Sequence, residues 1–337
     1  MKRRWKVAAG LLAGLVLLLA LNAFATSNEE RSAEVTVDGG RILELSGGAV
    51  QVTDTGEPPG VSGAQPIVLI HGYAGSLRWF DRVVPLLEDS HRVIRIDLLG
   101  HGGSEKPSSG YDIPSQAAVV AQALGELGVS GALVAGHSMG ALVTASLAEQ
   151  ASQLVDRAVV IDMAPNTDDY GPGLPLLAKL TYTPVVGPAL WRLSPDFAVR
   201  KSYEDAFAPG FEPADGFDDP DQVVRDFRAM TYTAFEQAHD GADDFTEERS
   251  IDQRFTAAAV PLLVVFGAED RMFDAERALA GFEDVPGVRT ELIEGAGHSP
   301  PVEAPEELAL ALLDFALPPA EPATPQAGEG RGRPARR

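Results

Sequence analysis

The chain contains no cysteine, which removes disulfides, thiolate-bound zinc and thiol nucleophiles from consideration. Nothing is left to carry a lipid at a processed amino terminus either. Positive charge is scarce: 27 Lys and Arg stand against 49 Asp and Glu, a formal net charge of −22. A surface that tracks phosphates needs clustered cations, so nucleic acid is not an expected partner. The same deficit disfavours adhesion to anionic lipid through a basic face. The acidity itself reads as a solubilising surface. The 45% apolar and 23% charged shares are those of an ordinary globular protein. A length of 337 residues allows one substantial core with room for an inserted subdomain.

The amino terminus departs from this pattern. Lys2, Arg3, Arg4 and Lys6 precede an uncharged run of 19 residues, Val7 to Ala25, dominated by leucine and alanine. Ala23-Phe24-Ala25 supplies a small-x-small cleavage site, as in a secretory signal. The run is equally long enough to cross a bilayer as a helix. Both readings, cleaved signal and retained anchor, place the rest of the chain outside the cytoplasm, because basic flanks stay inside. Removing residues 1–25 deletes four positive charges and no negative ones, so the mature domain would be still more acidic.

Residues 26–32 read as a polar linker. Ala33–Val37, Arg41–Leu45 and Ala49–Thr53 alternate with period two around Gly39-Gly40 and Gly47-Gly48, the pattern of antiparallel strands with tight turns. Short continuous apolar runs then follow at Pro66–Ile70, Val93–Ile96, Ala132–Ala135, Ala158–Ile161 and Leu262–Phe266. They are interspersed with helical patterns at Ile113–Leu127, Ala141–Ala151 and Glu306–Leu317. That arrangement predicts an α/β protein with a mostly parallel sheet covered on both faces. The core would comprise residues 33–164 and 259–317, interrupted at 165–258 by a segment rich in Pro, Gly, aromatic and acidic residues. This segment is too long for a crossover loop and is read as a helical cap. Its acidic stretch Phe211–Asp221 lacks ordered calcium-ligand spacing and reads as a solvated face. Residues 318–337, rich in Pro, Gly and Ala, form an expected disordered tail.

Chemistry concentrates at a few positions. Gly136-His137-Ser138-Met139-Gly140 fits G-x-S-x-G between an expected strand and an expected helix, the setting in which a strained turn exposes a nucleophilic serine. A serine needs a base. Among six histidines, His298 lies in Gly295-Ala296-Gly297-His298-Ser299-Pro300, after the expected last strand Arg289–Ile293. The orienting acid should fall between them in sequence. Asp270, at the end of Val264–Asp270, is the first choice, with Asp162 after the preceding strand and the adjacent Glu269 as rivals. His71-Gly72-Tyr73-Ala74-Gly75-Ser76 directly follows a strand and suits an oxyanion loop. The Tyr73 and Met139 amides are the expected donors, and His71 a brace for the loop. Leu174, Leu176, Trp191 and Phe197 of the cap are candidates for an apolar substrate pocket, or for the cap's own core.

These residues resemble those of α/β-hydrolase-fold proteins of the serine hydrolase and esterase branch. The likeness runs over most of residues 41–317, through His71-Gly72, Asp97-Leu98-Leu99-Gly100-His101-Gly102-Gly103-Ser104 and Val302-Glu303-Ala304-Pro305-Glu306, and skips the cap. The resemblance implies that Asp97 and His101 shape the active-site rim. A serine at position 138 argues against the dehalogenases and common epoxide hydrolases of this fold, which use a carboxylate nucleophile. It implies a carboxylic ester hydrolase acting on a small, apolar ester without a cofactor or metal. Carbon–carbon bond hydrolases, lactonases, thioesterases, haloperoxidase-like perhydrolases and non-catalytic binding proteins share the same residues.

Overall fold

A computed structural model of the chain describes residues 2–61, 63–167, 170–173 and 178–316. The expected carboxyl-terminal tail and the pocket candidates Leu174 and Leu176 fall outside these residues. The chain opens with helix α1 (Lys2–Ser27), of which Arg4–Ser27 is long and apolar enough to cross a membrane. The helix continues two residues into the expected linker.

Among the described residues eight strands form one sheet: β1 (Arg41–Leu45), β2 (Gly48–Asp54), β3 (Ile67–Ile70), β4 (Val93–Ile96), β5 (Ala132–His137), β6 (Val155–Ile161), β7 (Leu262–Gly267) and β8 (Arg289–Ile293). Their order is β1-β2-β4-β3-β5-β6-β7-β8. The pairs β1–β2 and β2–β4 are antiparallel and all others parallel. Ala33–Val37, expected as a further strand, forms none. Its backbone is engaged elsewhere: Glu34 N donates to the carbonyl of Gly103, and Thr36 N to the Gln51 side chain.

The period-two alternation of side chains separates the core into two layers. Val68, Ile70, Val134, Val160 and Val264 face one side, packed with the helices α2 (Ile113–Glu126) and α3 (Met139–Gln150). Ile67, Leu69, Leu133, Val159 and Val265 face the other, against Phe80, Leu87, Leu308 and Leu312. Asp112 caps α2 by accepting from Ser115 N, and Pro114 sits in its first turn, where a missing N–H costs nothing. Helix α3 is buried from Met139 through Ala148, so it carries apolar or small residues on every side.

Between β6 and β7 the chain leaves the sheet and forms the helical insertion. It contains α4 (Val186–Leu193), α5 (Asp196–Ser202), α6 (Gln222–Ala229), α7 (Tyr232–Glu248) and α8 (Ile251–Ala258). After β7 come α9 (Ala275–Ala280), β8 and α10 (Pro305–Phe315). Trp191 lies in the insertion's own core, its ring 3.9 Å from that of Phe227 and 4.5 Å from that of Phe235. Phe197, expected in a pocket or in the cap's own core, is exposed instead. The acidic stretch is partly neutralised by Arg200–Asp221 and Arg225–Asp219 ion pairs.

Candidate active site

In a parallel sheet every strand ends at the same edge, so the loops that follow β3, β5, β6, β7 and β8 converge there. Those loops carry His71–Ser76, Ser138, Asp162, Asp270 and His298. Ser138 sits between β5 and α3 at φ 51°, ψ −122°, a backbone conformation that side chains rarely adopt. The neighbouring glycines make this turn possible. A β-carbon on Gly136 would collide with the carbonyl of Gly140, and one on Gly140 with that of Ile70. The amino terminus of α3 starts directly after the serine and contributes partial positive charge there.

His298 Nε2 lies 3.1 Å from Ser138 Oγ, and its Nδ1 lies 2.9 Å from Asp270 Oδ2. The His298 and Asp270 side chains are almost entirely shielded from solvent. An ionised carboxylate can only accept, so Nδ1 carries the proton and Nε2 is free to accept from the serine hydroxyl. The second oxygen of Asp270 accepts from Met272 N at 2.6 Å and Phe273 N at 3.1 Å, which fixes the direction of the carboxylate. Glu269 is exposed.

Asp162 is wholly buried at φ 47°, with Oδ1 accepting from Gly267 N at 2.9 Å. Its Oδ2 has no hydrogen-bond partner among the described residues. Burial, reinforced by the charge of Asp270, pushes its pKa well above the usual carboxylate range. Atoms of Asp162, Asp270 and His298 fall within 4.8 Å of one another, close enough to hold a cation by distance alone. Both ring nitrogens of His298 are already engaged with Asp270 and Ser138, however, which argues against the histidine as a ligand.

The loop after β3 lies against the serine: a β-carbon on Gly72 would approach Ser138 Cβ to 3.0 Å. Of the expected oxyanion donors, Tyr73 follows Gly72 in that loop and Met139 opens α3 directly after Ser138. His71 is buried beneath the loop, with Nδ1 donating to the Gly72 carbonyl at 2.8 Å and Nε2 accepting from Leu98 N at 3.0 Å. Burial lowers its pKa, in keeping with this neutral tautomer. Asp97 and His101, expected at the rim, are fully buried below it. Asp97 accepts from Leu77 N at 2.7 Å, Gly103 N at 2.8 Å and Gln51 Nε2 at 2.6 Å, a bracing arrangement between two loops.

Two contributors were not singled out from sequence. His137 Nε2 donates to the His298 carbonyl at 2.7 Å, tying the residue before the serine to the loop of the base. Burial, with the neighbouring His298 second, lowers the His137 pKa to about 3, so it stays neutral. Glu303 accepts from Gly297 N at 3.1 Å and Ser299 N at 3.0 Å, on both sides of His298, and from Ala208 N of the insertion at 2.7 Å. Burial raises its pKa despite these donors. Their signals were present, at the x position of G-x-S-x-G and five residues past His298, but nothing local assigns a partner so distant in sequence.

The insertion is fastened to the segment that follows β3. Tyr73 OH donates to the Phe235 carbonyl at 2.8 Å, Tyr203 OH to the Ala74 carbonyl at 2.8 Å, and Trp79 Nε1 to Asp226 Oδ2 at 2.9 Å.

Residues 65–305 match the alpha/beta hydrolase fold family. The hydrolase YugF of Bacillus subtilis is 28% identical over 258 residues, covering 75% of this chain and 90% of that protein. The structure of an esterase from Exiguobacterium antarcticum superposes with a TM-score of 0.67 at 21% identity, over 82% of this chain and 98% of the esterase. A bacterial membrane phospholipase A superposes with a TM-score of 0.61 at 22% identity, over 94% of this chain and 98% of that one. The match over residues 65–305, with the sheet order and strand-end loops described above, makes this chain a member of the alpha/beta hydrolase fold family.

Proposed function

We propose that the protein is a serine hydrolase of carboxylic esters, with Ser138 as nucleophile, His298 as general base and Asp270 as the orienting acid. The observation that carries this reading is the unbroken hydrogen-bonded line from Ser138 Oγ through both nitrogens of His298 to Asp270 Oδ2. Ser138 Oγ attacks the ester carbonyl as its proton passes to His298 Nε2, and Asp270 stabilises the imidazolium. The Tyr73 and Met139 amides hold the tetrahedral oxyanion, the imidazolium protonates the departing alcohol, and an acyl group remains on Ser138. Water, deprotonated by the same base, then releases the acid and restores the serine. Lactones and thioesters pass through the same tetrahedral species, so the triad defines acyl transfer, and the cap over residues 165–258 selects the substrate.

The proposal locates this chemistry outside the cytoplasm, a reading supported by the apolar span of α1 and the basic residues from Lys2 to Lys6 that precede it. The test is hydrolysis of short p-nitrophenyl esters by the full chain in detergent. Ser138→Ala is expected to cut kcat/KM by about 10⁴-fold or more. Equal rates for the two proteins, or silence from the wild type across esters, lactones and thioesters, would remove the assignment.

A further inference from the structure

The outer face of the cap plays no part in the chemistry above, yet its composition is unusual for a surface in water. Helix α4 turns Gly187, Pro188 and Trp191 inward. Its opposite side presents Val186, Leu190 and Leu193, at i, i+4 and i+7, with Val185 just before it. Leu193 is 79% exposed and Phe197 of α5 is 72% exposed. A helix over a soluble core carries polar residues on its outer side, whereas α4 is apolar on both. Clustered exposed apolar side chains of this kind mark a contact surface.

The way α1 meets the cap indicates what that surface contacts. Helix α1 packs on α4 and on α7. Among its described side chains only Leu19, Asn22, Ala23 and Thr26 are even partly covered, a single stripe at helical spacing. Arg192 Nη1 of α4 donates to Asn22 Oδ1 at 3.2 Å, and Thr233 Oγ1 of α7 to the Ser27 carbonyl at 3.2 Å. Asn22 lies within the apolar run that ends at Ala25. At a rise of about 1.5 Å per residue it sits roughly 4–5 Å inside that end. The whole run, about 28 Å long by the same rise, matches a hydrocarbon core of roughly 30 Å. When α1 spans the bilayer, α4 reaches Asn22 only by sinking to the level of the outer leaflet, with its apolar side toward lipid. Charge agrees with this. Residues 178–203 hold four basic side chains against one acidic, in a chain whose net charge is −22. Arg200 and Lys201 pair with Asp221 and Glu204, while among the described residues Lys179 makes no ion pair and Arg192 spends Nη1 alone, on Asn22, which leaves both able to meet headgroup phosphates.

We propose that the face running from Val185 to Phe197 is seated in the outer leaflet of the bilayer beside a retained α1, and that the active site takes acyl esters of membrane lipids from that leaflet. The substrate clause rests on the ester-hydrolase reading; the docking clause does not. The absence of cysteine makes the docking clause directly measurable. Leu193→Cys, Phe197→Cys and Glu126→Cys each create one labelling site, the last on α2 at the sheet edge opposite the cap. Full-length proteins carrying an environment-sensitive fluorophore are reconstituted in diether phosphatidylcholine vesicles containing doxyl-labelled lipid. Labels at 193 and 197 should be quenched several-fold more than the label at 126. Equal quenching at all three sites overturns the docking. Disulfide-linked dimers through residue 193 without quenching overturn it too, in favour of a second copy of the chain. For the substrate clause, the Leu193→Glu/Phe197→Glu pair should lower the ratio of diacyl phosphatidylcholine to short-ester turnover by tenfold or more. An unchanged ratio overturns that clause. Quenching that persists while Ser138→Ala retains full turnover leaves the docking standing and removes the catalytic reading.

Discussion

Ser138 occupies a backbone conformation that the surrounding packing must impose, and the side chains around it divide between chemistry and support. Asp270 and Asp162 illustrate the division. Both carboxyls lie close to His298, but only Asp270 is hydrogen-bonded to its ring, and only Asp270 has its second oxygen held by two amides. Asp270→Asn should reduce kcat by about 10⁴-fold, because the amide favours the wrong imidazole tautomer. Asp162→Asn keeps an oxygen for Gly267 N, and asparagine tolerates positive φ. Its kcat should stay within about tenfold of the wild type by the same reasoning. Steady-state kinetics of the two variants side by side check this, and the reverse order would move the acid to the end of β6. The three side chains that meet in the proposed triad were legible in the sequence because each stands near glycine after a strand. The bond from His137 to the His298 carbonyl was not, since its partners are 161 positions apart and only the sheet edge joins them.

At the level of elements, the parallel strands were the easiest part to read. The central ones, β3, β5 and β7, are short, mainly apolar runs buried on both faces, and that burial leaves an unambiguous mark in composition, whereas the edge strand β8 is mostly exposed or half-buried. Ala33–Val37 misled because alternation also arises in an extended segment whose backbone bonds to a loop and a side chain. The cap was legible as an interruption but not as an arrangement, since its helices are short and their order follows from packing on the sheet edge. The loop between β8 and α10 shows how one residue can hold an element in place. Glu303 receives three amides, two of them flanking the base. Glu303→Gln loses the charge and turns one acceptor into a donor, a loss of about 2 kcal/mol. Thermal unfolding should report a lower Tm, and kinetics a lower kcat with KM little changed, because it is the base and not the substrate that loosens. A fall in Tm with kcat intact would confine Glu303 to stability.

The molecule as a whole is acidic, and one buried acid on α6 links that chemistry to folding. Burial pushes the pKa of Asp226 up to about 7 from 3.8, against the lowering effect of Trp79, Ser76 and Gln222. Between these two values the native state keeps a proton that the unfolded chain releases, so stability falls as pH rises through that window. Asp226→Asn should flatten the decline of Tm between about pH 4 and pH 7, whatever its effect on Tm at a single pH. A series of melts in that range checks the slope, and an unchanged slope would assign the decline to other groups. Asp226 also belongs to the set of bonds by which cap and sheet hold each other: Trp79 to Asp226, Tyr203 to Ala74 and Tyr73 to Phe235. All three land on the segment from Tyr73 to Trp79. A cap hinged in this way does not lift like a free lid. Under the proposed mechanism, any swing that admits a substrate tugs on the peptide assigned to cradle its negative oxygen, so gating and catalytic readiness become one motion.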